Sequence, residues 1–267
     1  MATLHDVRTI LASIRYPKAV ISAIYRCSLE KNAEEMRKKD TLREITLDDL
    51  IGEDYPSVYP YSCLNNSSGI TDLVLLSGLA KKIPECSYLE IGTWIGESIC
   101  NVARFAKKCV SISLSEDQIR CQYGGRHADV INYYCKKFNY DNITLIGEDS
   151  KEFDFTSLNQ KFDLIFIDGD HSYSGITNDT KKALDCLRDN NSIIVWHDYT
   201  FGVENVRYNT LNAILDAVPE ELHKYLYHVE NTMCAVLLFN DIASTKRQEY
   251  PRSPAKTYEV IIKNKSF

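Results

Sequence analysis

At 267 residues with 44% apolar side chains, the chain can bury a sizeable core, which excludes intrinsic disorder. A formal net charge of -6 argues against nucleic acid as the main partner, because such binding rests on neutralising phosphates. The nine cysteines form no CxxC pair, no N-terminal signal sequence is evident, and no apolar run nears the roughly 18 residues that span a bilayer, so the expectation is free thiols in a reducing cytoplasm and no transmembrane segment.

In chain order, residues 1–66 read as a helical extension and connector. Val7, Ile10, Leu11 and Ile14, then Val20, Ile21 and Ile24, recur at helical spacing among Arg8, Arg15, Lys18 and Arg26, before a charged stretch from Glu30 to Asp40. A solvated charged face is the simplest reading of this basic segment; a membrane-surface helix or a contact for an acidic partner are its alternatives. Asp54 to Tyr61 carries two prolines among aromatics, the texture of an ordered loop, and could form one wall of a substrate pocket.

Residues 67–240 alternate short apolar runs with helical segments, the pattern of an α/β domain whose mostly parallel sheet is covered on both faces. Strands are expected at Tyr88 to Ile91, Val110 to Leu114, Ile143 to Ile146, Leu164 to Ile167, Ile193 to Trp196, Tyr225 to Val229 and Cys234 to Phe239. Helices are expected within Ser98 to Lys107, Val130 to Phe138, Ile176 to Leu187 and Val206 to Val218. The last two strands have no helix between them and predict an antiparallel hairpin. The tail, residues 241–267, is polar until Tyr258 to Ile262, which reads as an extra strand or a docked segment. The connector and this segment are plausible interface elements of a homo-oligomer.

Two strand ends carry chemistry. The first expected strand runs into Glu90-Ile-Gly92-Thr-Trp-Ile-Gly96-Glu-Ser98, a strand-turn-helix in which glycine lets a ligand approach the backbone. Its spacing is G-x-x-x-G with an acid two residues earlier, not the G-x-G-x-x-G of a dinucleotide fingerprint, so a nicotinamide cofactor is disfavoured. The fourth runs into Asp168-Gly-Asp170-His171-Ser-Tyr173, and ligands of open α/β sheets bind just beyond the carboxyl ends of strands. One helix and one strand later comes His197-Asp198-Tyr199.

Together these motifs resemble class I S-adenosylmethionine-dependent methyltransferases over Ser67 to Phe239, and within them the subgroup with an FIDGDHSY element followed by HDY. The resemblance implies a Rossmann-like, doubly wound, seven-stranded sheet ending in an antiparallel hairpin. It implies that Glu90, Gly92, Thr93, Trp94 and Gly96, with Ser98 at the helix start, hold the methionine portion and ribose of S-adenosylmethionine, and that Asp149 and Ser150 bind its adenine. Many relatives place an acid after the second strand to bind both ribose hydroxyls; here Ser113 stands there, with Glu116 close in sequence.

The resemblance also implies methyl transfer, with an acceptor hydroxyl of a small molecule or saccharide that must lose its proton, either to a general base or with the help of a divalent metal. His171, three residues beyond Asp168, is the leading base, with His197 as the other candidate. Asp168, His197 and Asp198 are the candidate ligands for magnesium or manganese; imidazole departs from magnesium's preference for oxygen. Asp168 can also face the cofactor, Asp170 is expected to shape its loop or cap the next helix, and Tyr173 and Tyr199 are candidates for the acceptor wall. The other readings are a metal-dependent hydroxylase or oxidoreductase on the same fold, and a non-catalytic binding scaffold.

Overall fold

The computed structural model describes residues 17, 20, 21, 24, 41–64, 67–202, 205–248, 253–254 and 256–265. Pro17, Val20, Ile21 and Ile24 are helical, as the periodicity predicts, and Ile21 and Ile24 are exposed. The apolar positions from Val7 to Ile14 and the Glu30 to Asp40 stretch lie outside the described residues.

The chain then forms β1 (Arg43–Ile45), α1 (Leu47–Ile51), α2 (Ile70–Lys82), β2 (Ser87–Ile91), α3 (Glu97–Ala103), β3 (Lys108–Ser113), α4 (Glu116–Tyr123), α5 (Gly125–Ala128), α6 (Tyr133–Phe138), β4 (Ile143–Gly147), β5 (Leu164–Ile167) and α7 (Tyr173–Cys186). After β6 (Ile193–Trp196) come β7 (Thr200–Phe201), β8 (Asn205–Val206), α8 (Tyr208–Ala217), β9 (Leu226–Val229) and β10 (Ala235–Leu237). The main sheet has eight strands in the order β1-β9-β10-β6-β5-β2-β3-β4, parallel except where β10 runs against both neighbours; β7 and β8 form a separate antiparallel pair. The expected hairpin is therefore β9–β10.

Every side chain of β2 and β5 is buried, as apolar runs in a sheet covered on both faces require. One face packs under α1, α2 and α3, through Leu50, Leu75, Leu79, Ile99 and Val102. The other packs under α7 and α8, through Ile176, Ala183, Leu211 and Ile214. Each large aliphatic side chain buried here contributes about 1.5–3 kcal/mol. The helix α2 is apolar nearly all round because it lies in the core, and Gly78 lets α1 sit on it: a Cβ there would lie 2.6 Å from Ile51 Cδ1.

One expectation is corrected at the margin and another is narrowed. The sheet has eight strands, not seven, because β1 pairs in parallel with β9. A three-residue strand carrying Arg43 and Glu44 has no apolar run to announce it; it is held by a buried cluster in which Glu44 Oε1 lies 3.0 Å from His228 Nδ1 and accepts from Arg247 Nη1 at 2.9 Å. Tyr258 to Ile262 forms no strand. The docked alternative describes it: Tyr258 stacks on Tyr55, Lys256 pairs with Asp48 and Lys265 lies over the Tyr59 ring, while Ile261 and Ile262 are exposed. All eight cysteines among the described residues are free thiols, and no helix among those residues is long and apolar enough to cross a membrane.

Candidate active site

From β2 the chain builds β3 and β4 on one side, then crosses back to place β5 on the other. That reversal leaves a crevice beyond the carboxyl ends of β2 and β5, the expected place for a ligand in an open α/β sheet. A cavity of about 750 Å³ occupies it. A larger cleft, about 890 Å³, lies at the opposite end of the strands, but four of its charged residues are paired with each other, Lys107 with Glu85 and Arg188 with Asp163. Chemistry belongs to the smaller cavity, where polar groups converge.

Sheet hydrogen bonds continue one residue past the strands and hold the site residues in register. Gly92 N donates to Ile112 O at 2.9 Å, Asp168 N to Ile91 O at 2.8 Å, and His197 N to Ile167 O at 3.0 Å. Gly92 has φ +93°, and a Cβ there would lie 2.3 Å from the Asp168 carbonyl oxygen, so only glycine lets these two strand ends lie side by side.

The residues expected at the cofactor divide into two groups. Gly92, Thr93, Trp94, Ser113, Asp149, Ser150 and Asp168 line the cavity, with Ile112, Leu114, Ile119 and Ile131 as apolar surface beside them. Glu90, Gly96 and Ser98 instead support the turn. Glu90 is fully buried and accepts from Tyr88 Oη at 2.6 Å, Thr93 Oγ1 at 2.6 Å and Ser98 Oγ at 2.8 Å. Burial pushes its carboxyl up to about 7, against the opposing pull of those three donors. Gly96 is the left-handed N-cap of α3 and packs against Cys135. With Glu90 beneath the turn and Glu97 opening a helix of only seven residues, this corner is poorly suited to a diphosphate.

Glu116 does not reach the ribose position beside Ser113, since it is exposed and paired with Lys136. Asp149 Oδ1 accepts from Lys151 N at 2.9 Å and shapes its loop, while Ser150 Oγ donates to Asp179 Oδ1 at 2.8 Å. Trp94 faces the cavity beside the His127 ring, at 5.6 Å.

The acid and histidine cluster assembles at the other end of the cavity. His171 lies between two carboxylates, with Nδ1 3.0 Å from Asp198 Oδ2 and Nε2 3.4 Å from Asp168 Oδ1. His197 Nδ1 is 3.1 Å from the same Asp168 oxygen, and its Nε2 is 3.3 Å from Asp72 Oδ2. The hydrogen bond to Asp168 raises the His171 pKa despite partial burial. Burial works against a charged His197, yet the Asp168 charge and the hydrogen bonds to Asp168 and Asp72 outweigh it and hold that imidazole well above its ordinary range. Burial would likewise raise Asp168, but the charge of His197 and the hydrogen bonds from both histidines hold it well below the usual carboxylate range. Asp198 adopts φ +58°, a left-handed conformation aspartate tolerates, and also accepts from Arg207 Nη1 at 3.2 Å.

Asp170 shapes its loop, accepting from Ser172 N at 2.9 Å and Lys151 Nζ at 2.6 Å, while Ser172 caps α7. The tyrosines leave the acceptor wall. Tyr199 is buried with its hydroxyl accepting from Leu42 N at 3.1 Å, and Tyr173 Oη donates to Asp216 at 2.6 Å outside the cavity. Sequence reading missed Asp72 and Arg207. An acid three residues after Gly69, inside the run Ile-Thr-Asp72-Leu-Val-Leu-Leu, was a signal for the first; a lone arginine after the hairpin offers none for the second.

The fold is a Rossmann-like α/β sheet with a polar cavity at its switch point. Residues 89–199, from β2 to just past β6, match the sequence model of a methyltransferase domain. No curated protein matches the chain in sequence. Among solved structures, it is similar to the methyltransferase PaMTH1 of Podospora anserina bound to SAH, with 20% identity over 68% of this chain and 83% of that one and a TM-score of 0.47. Cofactor-bound Rv0187 from MTB shares 18% identity over 91% of this chain and 100% of its own, at TM-score 0.48. An O-methyltransferase of Bacillus cereus in complex with SAH shares 17% over 79% and 96%, at 0.46. Likeness at this level assigns no activity.

Proposed function

We propose that this protein transfers a methyl group from S-adenosylmethionine to a hydroxyl of a small molecule or saccharide, with residues 67–240 as the catalytic unit. The observation that carries the reading is a single cavity that joins the Gly92 turn and the Asp149 loop to His171 and its two carboxylates. A volume of about 750 Å³ accommodates a nucleoside together with a small acceptor.

The residues present fit the cofactor. Apolar Ile112, Leu114 and Ile119 offer surface to a flat base, and Asp149 and Ser113 offer polar edges. When bound, the cofactor supplies an electrophilic methyl on a positively charged sulfur. In this reading His171 accepts the acceptor's hydroxyl proton, and Asp168 and Asp198 orient the ring and stabilise the imidazolium that results. Both histidines have carboxylates at both nitrogens, but the His197 side chain is only 8% exposed against 52% for His171, so His197 is the less accessible base. It serves better as a ligand. Asp168, His197 and Asp198 each offer an atom within 4.8 Å of the others, a donor set that fits a divalent ion able to lower the pKa of a bound hydroxyl.

Calorimetric titration with S-adenosylmethionine and with its demethylated product tests the reading. Binding with micromolar-scale affinity and retained cofactor binding by His171→Ala, with turnover on a responsive acceptor lost by ~10²-fold or more, is the expected result. Absence of heat with both ligands overturns it. The hydroxylase or oxidoreductase alternative keeps the same donor set and is detected by oxygen or nicotinamide consumption.

A further inference from the structure

Asp72 belongs to neither the glycine turn nor the two acid and histidine motifs, and it lies outside the residues that match the methyltransferase domain. It is the third residue of α2, 1% exposed, and its carboxylate is held from three directions. Oδ2 accepts from Gly69 N at 2.7 Å, which closes the start of α2. Oδ1 accepts from Met233 N at 2.8 Å and Cys234 Sγ at 3.6 Å, in the turn between β9 and β10. The remaining direction of Oδ2 is occupied by His197 Nε2 at 3.3 Å.

A carboxylate this firmly held fixes the imidazole in front of it. Asp72 takes Nε2–H, and Nδ1 faces the cavity 3.1 Å from Asp168 Oδ1 and 3.6 Å from Asp198 Oδ1; the proton it shares with Asp168 is the one a metal ion would displace on binding. Phe166 meets the ring edge-on at 5.9 Å and limits its rotation. This is the arrangement that makes histidine a good metal ligand: a back-side acceptor selects the tautomer, sets the ring plane and raises the basicity of the facing nitrogen.

We infer that Asp72 is the positioning residue that presents His197 Nδ1 between Asp168 and Asp198, and that the resulting set of one nitrogen and two carboxylates takes a first-row transition ion in preference to magnesium. The inference rests on the metal-assisted form of the proposed reaction. Its chemistry is general: magnesium favours oxygen donors and keeps its waters, whereas imidazole suits transition ions. Removing the carboxylate charge at position 72 weakens the hold on that tautomer, since an amide can present either a donor or an acceptor to Nε2.

The full chain, stripped of metal, is titrated with Mn(II) while the free ion is followed by electron paramagnetic resonance, and Mg(II) is then added as competitor. One Mn(II) per chain is expected, displaced only by at least a tenfold excess of Mg(II). Asp72→Asn is expected to weaken Mn(II) binding by about 10–100-fold while binding of the demethylated cofactor is retained. His197→Asn, which exchanges the nitrogen donor for oxygen and does not depend on the integrity of the α2 start, is expected to narrow the preference for Mn(II) over Mg(II). Equal affinity for the two ions in the unaltered protein overturns the inference, as does an Asp72→Asn protein that binds demethylated cofactor and holds Mn(II) as tightly as the original. Failure to bind Mn(II) with cofactor binding intact overturns the inference and leaves methyl transfer standing; failure to bind cofactor overturns the proposed function itself.

Discussion

Glu90 illustrates how a buried residue can shape a site from beneath it. Its carboxylate sits under the turn and organises Thr93 and Ser98 through hydrogen bonds, while Tyr88 closes its other oxygen. Burial raises its pKa to about 7, above the roughly 4.3 of an unfolded glutamate, so folding favours the protonated form. The stabilising contribution is fully present below the unfolded pKa and is lost as pH rises through about 7. Replacement by glutamine removes the charge and with it this loss. Relative to the unaltered protein, Glu90→Gln should gain about 3 kcal/mol of folding free energy between pH 4.5 and pH 8, measured as the difference between urea denaturation curves at the two pH values. A difference that does not change with pH refutes the assignment.

At the scale of elements, the turn between β2 and α3 is where local backbone and tertiary packing make the same demand. Gly92→Ala meets both a positive φ and a carbonyl oxygen 2.3 Å from the new Cβ, so β2 and β5 must separate at the site. A loss of about 2–4 kcal/mol in stability is expected by chemical denaturation, with a larger proportional loss of cofactor binding because the displaced backbone is the cavity floor. A variant as stable as the original shows that the turn can relax without opening the sheet. What the sequence revealed follows the same logic. β2, β5 and β6 were legible because strands buried on both faces must be apolar throughout, and their polar ends then stood out at Glu90, Asp168 and His197. β1 was not legible, because Glu44 is held by His228 and Arg247, 184 and 203 residues away, and no local pattern encodes that. Asp72 escaped for a related reason: its position marks a helix start, but its partners His197 and Met233 come from distant parts of the chain, just past β6 and in the β9–β10 turn. The run Tyr258 to Ile262 left a strand and a docked segment open in the sequence, and β propensity alone could not choose between them.

For the whole molecule, the deciding question is which nucleotide the switch-point cavity accepts, and the two main readings differ there in a measurable way. A nicotinamide dinucleotide carries two negative charges that need free backbone amides at a helix N-terminus. This fold offers α3, a seven-residue helix whose first residue is Glu97, above the buried Glu90. S-adenosylmethionine carries no phosphate and a positive sulfur, and the lining of Asp149 and Asp168 suits it. A ligand that binds only the folded state at 100 times its dissociation constant adds about 2.7 kcal/mol. For a chain of this size that corresponds to a rise of roughly 5–10 °C in the melting midpoint. The demethylated cofactor should therefore shift the thermal transition by that amount, and NADH at the same concentration should leave it in place. A shift with NADH and none with the demethylated cofactor would reverse the choice between methyl transfer and oxidoreduction, because a turn with this glycine spacing and these two acids would then have accepted a diphosphate.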